Sequence, residues 1–287
     1  MYQSFSAPSD PSTADPRVAR LRDLMAKAGV DAYLVPRADE HQGEYVPASA
    51  ERLAWLTGFT GSAGNAVVAK DRAAVFVDGR YRVQARNQLD QTLFEIVELP
   101  GNLTEWMAEA LPSGSVVGFD PWLLTIAQVE RTRATLAAQG IRLKPVTGNL
   151  VDRLWGKARI AARDGVLPAS VRPAEIMPHP TPLAGRSSED KIAALQKRLQ
   201  DDGQDALVLT ATDSVAWLFN IRGSDIAHTP LVLAYAVVPR EGRPALYVDG
   251  AKLDNGVRAA LEDVADVLAP DADQHARLAL AEEERVG

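Results

Sequence analysis

The feature that most constrains this chain is an order of elements that occurs twice. In the first half Val18, Leu21, Leu24, Met25 and Ala28 recur at helical spacing, Gly29 ends the run, and the β-type segment Asp31-Ala32-Tyr33-Leu34-Val35 follows. In the second half Ile192, Leu195 and Leu199 form the helical stripe, Gly203 ends it, and Asp205-Ala206-Leu207-Val208-Leu209 follows. The starts carry signals too. Asp15-Pro16 reads as an N-cap with proline at the first helical position, and Ser187-Ser188-Glu189-Asp190 has the pattern of a capping box. The correspondence continues from Ala54-Trp55-Leu56 to Ala216-Trp217-Leu218 and from Phe76-Val77-Asp78-Gly79 to Tyr247-Val248-Asp249-Gly250. With further β-type runs at Ala66–Ala69, Ala73–Val77 and Ser115–Phe119, helices alternate with strands, which predicts an α/β fold in two copies.

A length of 287 residues suits two domains, since single cores stop growing near about 250–300 residues. Between the copies, Pro168, Pro173, Pro178, Pro180 and Pro182 remove backbone donors and disfavour helix or central strand. The predicted division is a flexible N-terminal tail over 1–15, a first domain over 16–155, a proline-rich linker over 156–186 and a second domain over 187–287. Differences in spacing, longest at 37–52 in the first copy and 220–247 in the second, are expected in loops. The acidic stretch 271–286 reads equally as a helix, a connector or a tail.

Several function classes are disfavoured. A net charge of −7 without a basic, aromatic-rich patch argues against nucleic acid as a partner. The chain has no cysteine, which removes disulfides, thiolate catalysis and sulfur-ligated zinc. No apolar run approaches the ~20 residues that cross a bilayer, and the polar start, 1–15, lacks a secretory pattern, so no membrane association and a cytoplasmic location are expected. His41, His179, His228 and His275 stand apart, without metal-ligand spacing. Gly58, Gly61 and Gly64 follow G-x-x-G-x-x-G, which fits tight turns better than a phosphate cradle, and Thr60 breaks the nucleophile-elbow pattern around Ser62. Trp55 and Trp217 are expected to be core aromatics, and Arg222 and Asp225 to fix a Gly-Ser turn by charge-assisted hydrogen bonding.

Longer motifs carry a resemblance. Pro36-Arg37-Ala38-Asp39-Glu40-His41-Gln42-Gly43-Glu44-Tyr45, Leu56-Thr57-Gly58-Phe59-Thr60-Gly61-Ser62-Ala63-Gly64 and Asp78-Gly79-Arg80-Tyr81 resemble the first domain of three-domain Xaa-Pro aminopeptidases (aminopeptidase P) of the creatinase family. Ala184-Gly185, Asp190-Lys191 and Trp217-Leu218-Phe219-Asn220-Ile221-Arg222-Gly223-Ser224-Asp225 resemble the second. The resemblance implies two tandem creatinase N-terminal-like domains, each a mixed β-sheet flanked by helices, with 159–170 as an insertion in the linker. It implies that a C-terminal pita-bread catalytic domain, a metallopeptidase using two divalent ions, commonly manganese, follows them to remove the residue before proline. No cofactor is expected in this chain, because the family's metal ligands and catalytic histidines have no matching positions. The expected role is non-catalytic: homodimer contacts and control of active-site access. A peptide substrate at the domain interface would meet Asp39, His41, Gln42, Glu44, Tyr45 and Arg80. The alternative is a stand-alone pseudoenzyme or binding module of the same fold.

Overall fold

The first helix starts earlier than the Asp15-Pro16 signal predicts. Asp10 caps a 3-10 turn, Pro11–Thr13, its carboxylate accepting from Ser12 N at 3.1 Å, and the chain runs directly into helix α1, Ala14–Ala28. Residues 10–15 of the expected tail are therefore structured. The computed structural model describes residues 10–98, 103–156 and 175–270; residues 1–9, the proposed insertion and the stretch 271–286 lie outside them. Val18, Leu21 and Met25 are buried on one face of α1, and Gly29 stops it at φ +66°, a conformation that glycine adopts without penalty.

The chain divides into two compact units, Met1–Val166 and Leu167–Gly287. In the first unit, strands β1 (Ala32–Pro36), β2 (Gly64–Ala69), β3 (Ala73–Val77), β4 (Glu95–Glu98), β5 (Val116–Phe119) and β6 (Arg142–Pro145) form a six-stranded sheet in the order β4-β3-β2-β1-β5-β6. The β1–β2 and β2–β3 pairs are antiparallel, and β3–β4, β1–β5 and β5–β6 are parallel. Helices α2 (Arg52–Thr57), α3 (Arg82–Gln88), α4 (Leu103–Ala110), α5 (Ile126–Ala137) and α6 (Leu150–Trp155) complete it. Both faces of the sheet are buried. Tyr33, Val35 and Val75 pack with Leu21, Met25 and Leu150, and Leu34, Val67 and Phe76 pack with Trp106, Met107 and Leu136.

The second unit contains β8 (Ala206–Leu209), β10 (Tyr235–Pro239), β11 (Ala245–Tyr247) and β12 (Asp266–Leu268), ordered β12-β11-β10-β8. Its β8–β10 and β10–β11 pairs are antiparallel and β11–β12 parallel. Strand order and directions repeat those of β4-β3-β2-β1, so the duplication seen in the residues is a duplication of topology. Both copies also end their third strand identically: Asp78 and Asp249 each accept a backbone N–H from two residues ahead, at 2.9 and 3.0 Å, and cap a 3-10 turn.

Helices α8 (Ser188–Asp201), α9 (Thr212–Leu218) and α10 (Asn255–Glu262) cover one face of this sheet. Ser187 caps α8 by accepting from Asp190 N. The proline-rich stretch, where helix and central strand were expected to be disfavoured, holds in its described part the short strand β7 (Met177–Pro178), which pairs with β9 (Ile221–Arg222), and a one-turn helix α7 (Thr181–Ala184). Pro182 sits at the start of α7, where a missing N–H costs nothing, and β7 is a short edge. Among the described residues no helix is long and apolar enough to cross a membrane.

Candidate functional site

The loop after β1 is built on two arginines. Arg37 continues the β1–β2 ladder through its N–H to Gly64 O at 3.0 Å, while its Nη1 donates to Glu44 O at 2.9 Å. Arg52, at the start of α2, is fully buried; its Nε and Nη2 grip Asp152 of α6 at 2.8 and 3.0 Å, and Nη2 also reaches Glu40 at 2.6 Å. Burial opposes the Arg52 charge, but Asp152 and Glu40 outweigh it and hold the guanidinium firmly protonated. Glu51 beside Arg37 is pushed up by burial, against the pull of that arginine.

Between the anchors, Asp39 folds the loop back. It is 1% exposed, and its Oδ1 accepts from His41 N at 3.1 Å and Gly43 N at 2.9 Å, a local turn that aspartate's short side chain favours. Gln42 takes a positive φ of 56° at the tip, donating from N and Nε2 to Asp39 O. The result is a lip on which Gln42, Glu44 and Tyr45 face solvent, Tyr45 at 60% exposure, with His41 half-buried. Asp39 is the exception among the expected lip residues: its carboxylate lies inside, holding the turn.

Arg80 comes from the 3-10 turn after β3. Its Nε meets Asp78 Oδ1 at 2.8 Å and its guanidinium lies 5.5 Å from the Tyr81 ring. Asp78, and more weakly Glu44, favour its charge. Tyr81 OH bonds Ser62 Oγ at 2.5 Å, and this bond, helped by the charges of Arg80 and Arg37, lowers the phenol's pKa. Ser62, Tyr81 and the buried clamp of Arg52 and Asp152 are the parts sequence reasoning missed. Tyr81 lay within a quoted motif, whereas Arg52 and Asp152 are 100 positions apart and carry no local signal. The glycines around Ser62 fit close packing: a Cβ on Gly61 would stand 2.3 Å from Phe59 Cζ.

In the second unit Asp225 and Arg222 do not fix the turn together. Asp225 Oδ2 accepts from Lys252 Nζ at 2.7 Å and Leu233 N at 2.8 Å, with both charged side chains 5% exposed. Arg222 donates instead to the carbonyls of Ile221 and Ala216. Trp217 departs from the expected core position: it is 53% exposed and Lys191 Nζ lies 4.6 Å over its ring, held by Trp217 O and Asn220 Oδ1. Trp55 is half-buried and stacks on Trp155 with ring centroids 5.5 Å apart.

This donor set does not fit a two-metal centre. Among the described residues no three carboxylate or imidazole side chains converge closely enough to hold an ion.

A family model described as the creatinase/prolidase N-terminal domain matches residues 17–154, and a second model with that description matches 168–286. The chain belongs to the creatinase/prolidase N-terminal domain family. It contains two such domains in tandem, each α/β with a mixed sheet. Relatives include the "Probable Xaa-Pro aminopeptidase P" of Coccidioides posadasii strain C735, 40% identical over 266 residues, covering 91% of this chain and 39% of the relative. The protein of the same description from Paracoccidioides brasiliensis strain Pb18 is 40% identical over 251 residues, covering 86% and 39%. Among solved structures, the X-prolyl aminopeptidase of Caenorhabditis elegans, described as a cytosolic enzyme with a di-nuclear active site, superimposes with a TM-score of 0.78 at 32% identity, over 90% of this chain and 42% of that one. The chain thus spans about two fifths of the length of these relatives.

Proposed function

We propose that these two domains are the non-catalytic part of a proline-specific metalloaminopeptidase, which shapes access to an active site carried on residues outside this chain and contributes to subunit contacts in a homodimer. The reading is supported most by the match of both domains, over nine tenths of the chain, to one stretch of Xaa-Pro aminopeptidases. Its partner is a C-terminal catalytic domain with two divalent ions, manganese in this proposal, and its location is cytoplasmic.

The access role falls to the lip of His41, Gln42, Glu44 and Tyr45 with Arg80 beside it. A carboxylate carried on a rigid loop attracts the positively charged N-terminus of a peptide, and a narrow rim excludes folded chains. Asp39 contributes by holding the loop's turn. The chain alone, incubated with Xaa-Pro peptides and manganese, is expected to show no turnover; cleavage would overturn the assignment. With this chain replacing the corresponding domains of the Caenorhabditis elegans relative, Glu44→Gln with Tyr45→Ala is expected to change KM and peptide-length preference while leaving kcat largely intact. Identical kinetics for short and long peptides would reject the access role.

A further inference from the structure

In the second unit three cations gather around one exposed indole. Lys191, in the first turn of α8, is 2% exposed, and its Nζ lies over the Trp217 ring, donating to Trp217 O at 2.7 Å and Asn220 Oδ1 at 2.6 Å. Arg222 rests against the end of α9, its Nη1 donating to Ala216 O and Ile221 O. Arg186 donates from Nη2 to Asp190 O, and its own carbonyl accepts from Asn220 Nδ2. Asn220 thus joins Lys191 to Arg186, and it does so from a left-handed conformation, φ 50°, uncommon for a residue with a side chain. Burial, then the charges of Arg222 and Arg186, lower the Lys191 pKa.

Each of these side-chain bonds ends on a neutral oxygen. Of the carboxylates near the group in sequence, Asp225 is held by Lys252 and Asp213 by Ser214 N, and neither Glu189 nor Asp190 forms an ion pair with any of the three cations. Lysine is almost never so buried without a paired charge, and the carbonyls closing α9 supply only a partial one. Nor does an acidic chain of net charge −7 concentrate cations by composition. Arg222 keeps Nε and Nη2, the edge of a guanidinium that meets a carboxylate with two parallel bonds. Beside it stand the half-exposed Trp217 and Met177, which faces Arg222 across the β7–β9 pair and is 56% exposed. A bare inorganic anion would leave both in water, whereas a carboxylate joined to an apolar group covers them. We propose that Arg222 and Arg186, backed by Lys191, bind a peptide carboxylate whose adjoining apolar side chain lies on Trp217 and Met177.

That carboxylate is either a free C-terminus or an acidic side chain, and two probes separate the sources. The chain has five tryptophans, and Trp217→Phe identifies the Trp217 indole N–H in NMR spectra. N-acetyl-leucine and N-acetyl-aspartyl-leucinamide are titrated into the full chain at constant ionic strength, beside N-acetyl-leucinamide, which lacks the charge, and inorganic phosphate, which lacks the apolar group. A saturable shift of the Trp217 signal is expected with at least one carboxylate, and the tighter binder assigns the source. The amide and phosphate are expected to bind weaker by about tenfold or more, as is the carboxylate to Arg222→Gln, with the other indole signals in place. Arg186→Gln, at an exposed position, is the second variant and should weaken binding in the same direction. No saturable shift with either carboxylate, an equal response to the amide or to phosphate, or undiminished binding by these variants would overturn the proposal.

Discussion

β1 and β8 each follow an aspartate and open on an alanine, yet do different work. Asp31 lies beside β5, where its Oδ2 accepts from Val116 N at 2.8 Å while Oδ1 meets Lys70 at 2.5 Å. Asp205 meets Arg240 at 3.4 Å and is almost wholly exposed. Leu34 is 3% exposed and its counterpart Val208 52%. The local pattern made both segments strands, but neighbours on either side decided which became a central strand and which an edge. A repeated sequence therefore specifies topology more tightly than it specifies burial.

The comparison breaks hardest at the buried charges. Lys252→Met strands Asp225 in a site where both side chains are 5% exposed and should cost the second unit about 3–5 kcal/mol, read from urea unfolding followed by hydrogen exchange in each unit. Arg52→Met should cost the first unit less, because Glu40 and Asp152 keep 33% and 21% of their side chains in water. A larger loss at Arg52 would show that the loop clamp, and not the sheet, dominates the first unit. Close glycine packing comes next. Gly61→Ala drives a methyl into Phe59, and Gly223→Ala brings one within 2.7 Å of Val232 Cγ2; each should destabilise its own unit by about 1–3 kcal/mol. Matching losses would show both units equally intolerant of one added carbon.

The duplicated caps should respond alike: Asp78→Ala and Asp249→Ala are each expected to lower the denaturant midpoint of their own unit by a similar amount, and a large difference would mean that the shared turn serves only one unit. Smallest is the response to pH. Asp31, through Lys70 and the Val116 N–H, and Glu95, through Arg72 and the Trp106 indole, are held below the usual carboxylate range. Their contribution is complete above the unfolded value near ~4 and is lost as pH falls through the folded value. Burial raises Glu51 and Asp120, so acidification first relieves the cost of their ionisation. Lys191 in the second unit is lowered, chiefly by burial and then by Arg222 and Arg186. The second unit should accordingly gain stability as pH rises from that folded value toward the ordinary lysine range, and the first should respond on the acid side. Melting curves across pH would separate the two.

Strands, their order of occurrence and the glycine stops were legible because each rests on adjacent residues. The apolar run Ala73–Val77 and the positive φ of Gly29 and Gly203 are local facts. The start of α1 was misplaced because Asp10-Pro11 and Asp15-Pro16 carry the same cap signal, and only the turn at Pro11–Thr13 distinguishes them. At the candidate site the loop residues were legible as a polar cluster, but the inward turn of Asp39 was not, since hydrogen bonds to His41 N and Gly43 N depend on backbone conformation. Partners across 27 and 100 positions, Lys252 for Asp225 and Asp152 for Arg52, exist only once the sheet has assembled. Trp217 was misread because an aromatic in an apolar run is equally suited to lying under a lysine at the surface.

Trp55 stacks on Trp155 and Arg17 lies 4.5 Å over the Trp55 ring, which joins α1 to α6, the first and last described helices of the first unit. These two helices are fastened at one spot, as by a buckle. Tension applied at residues 14 and 155 would load the buckle before any strand is peeled, so stretching single molecules should give an early, small rip ahead of the main rupture.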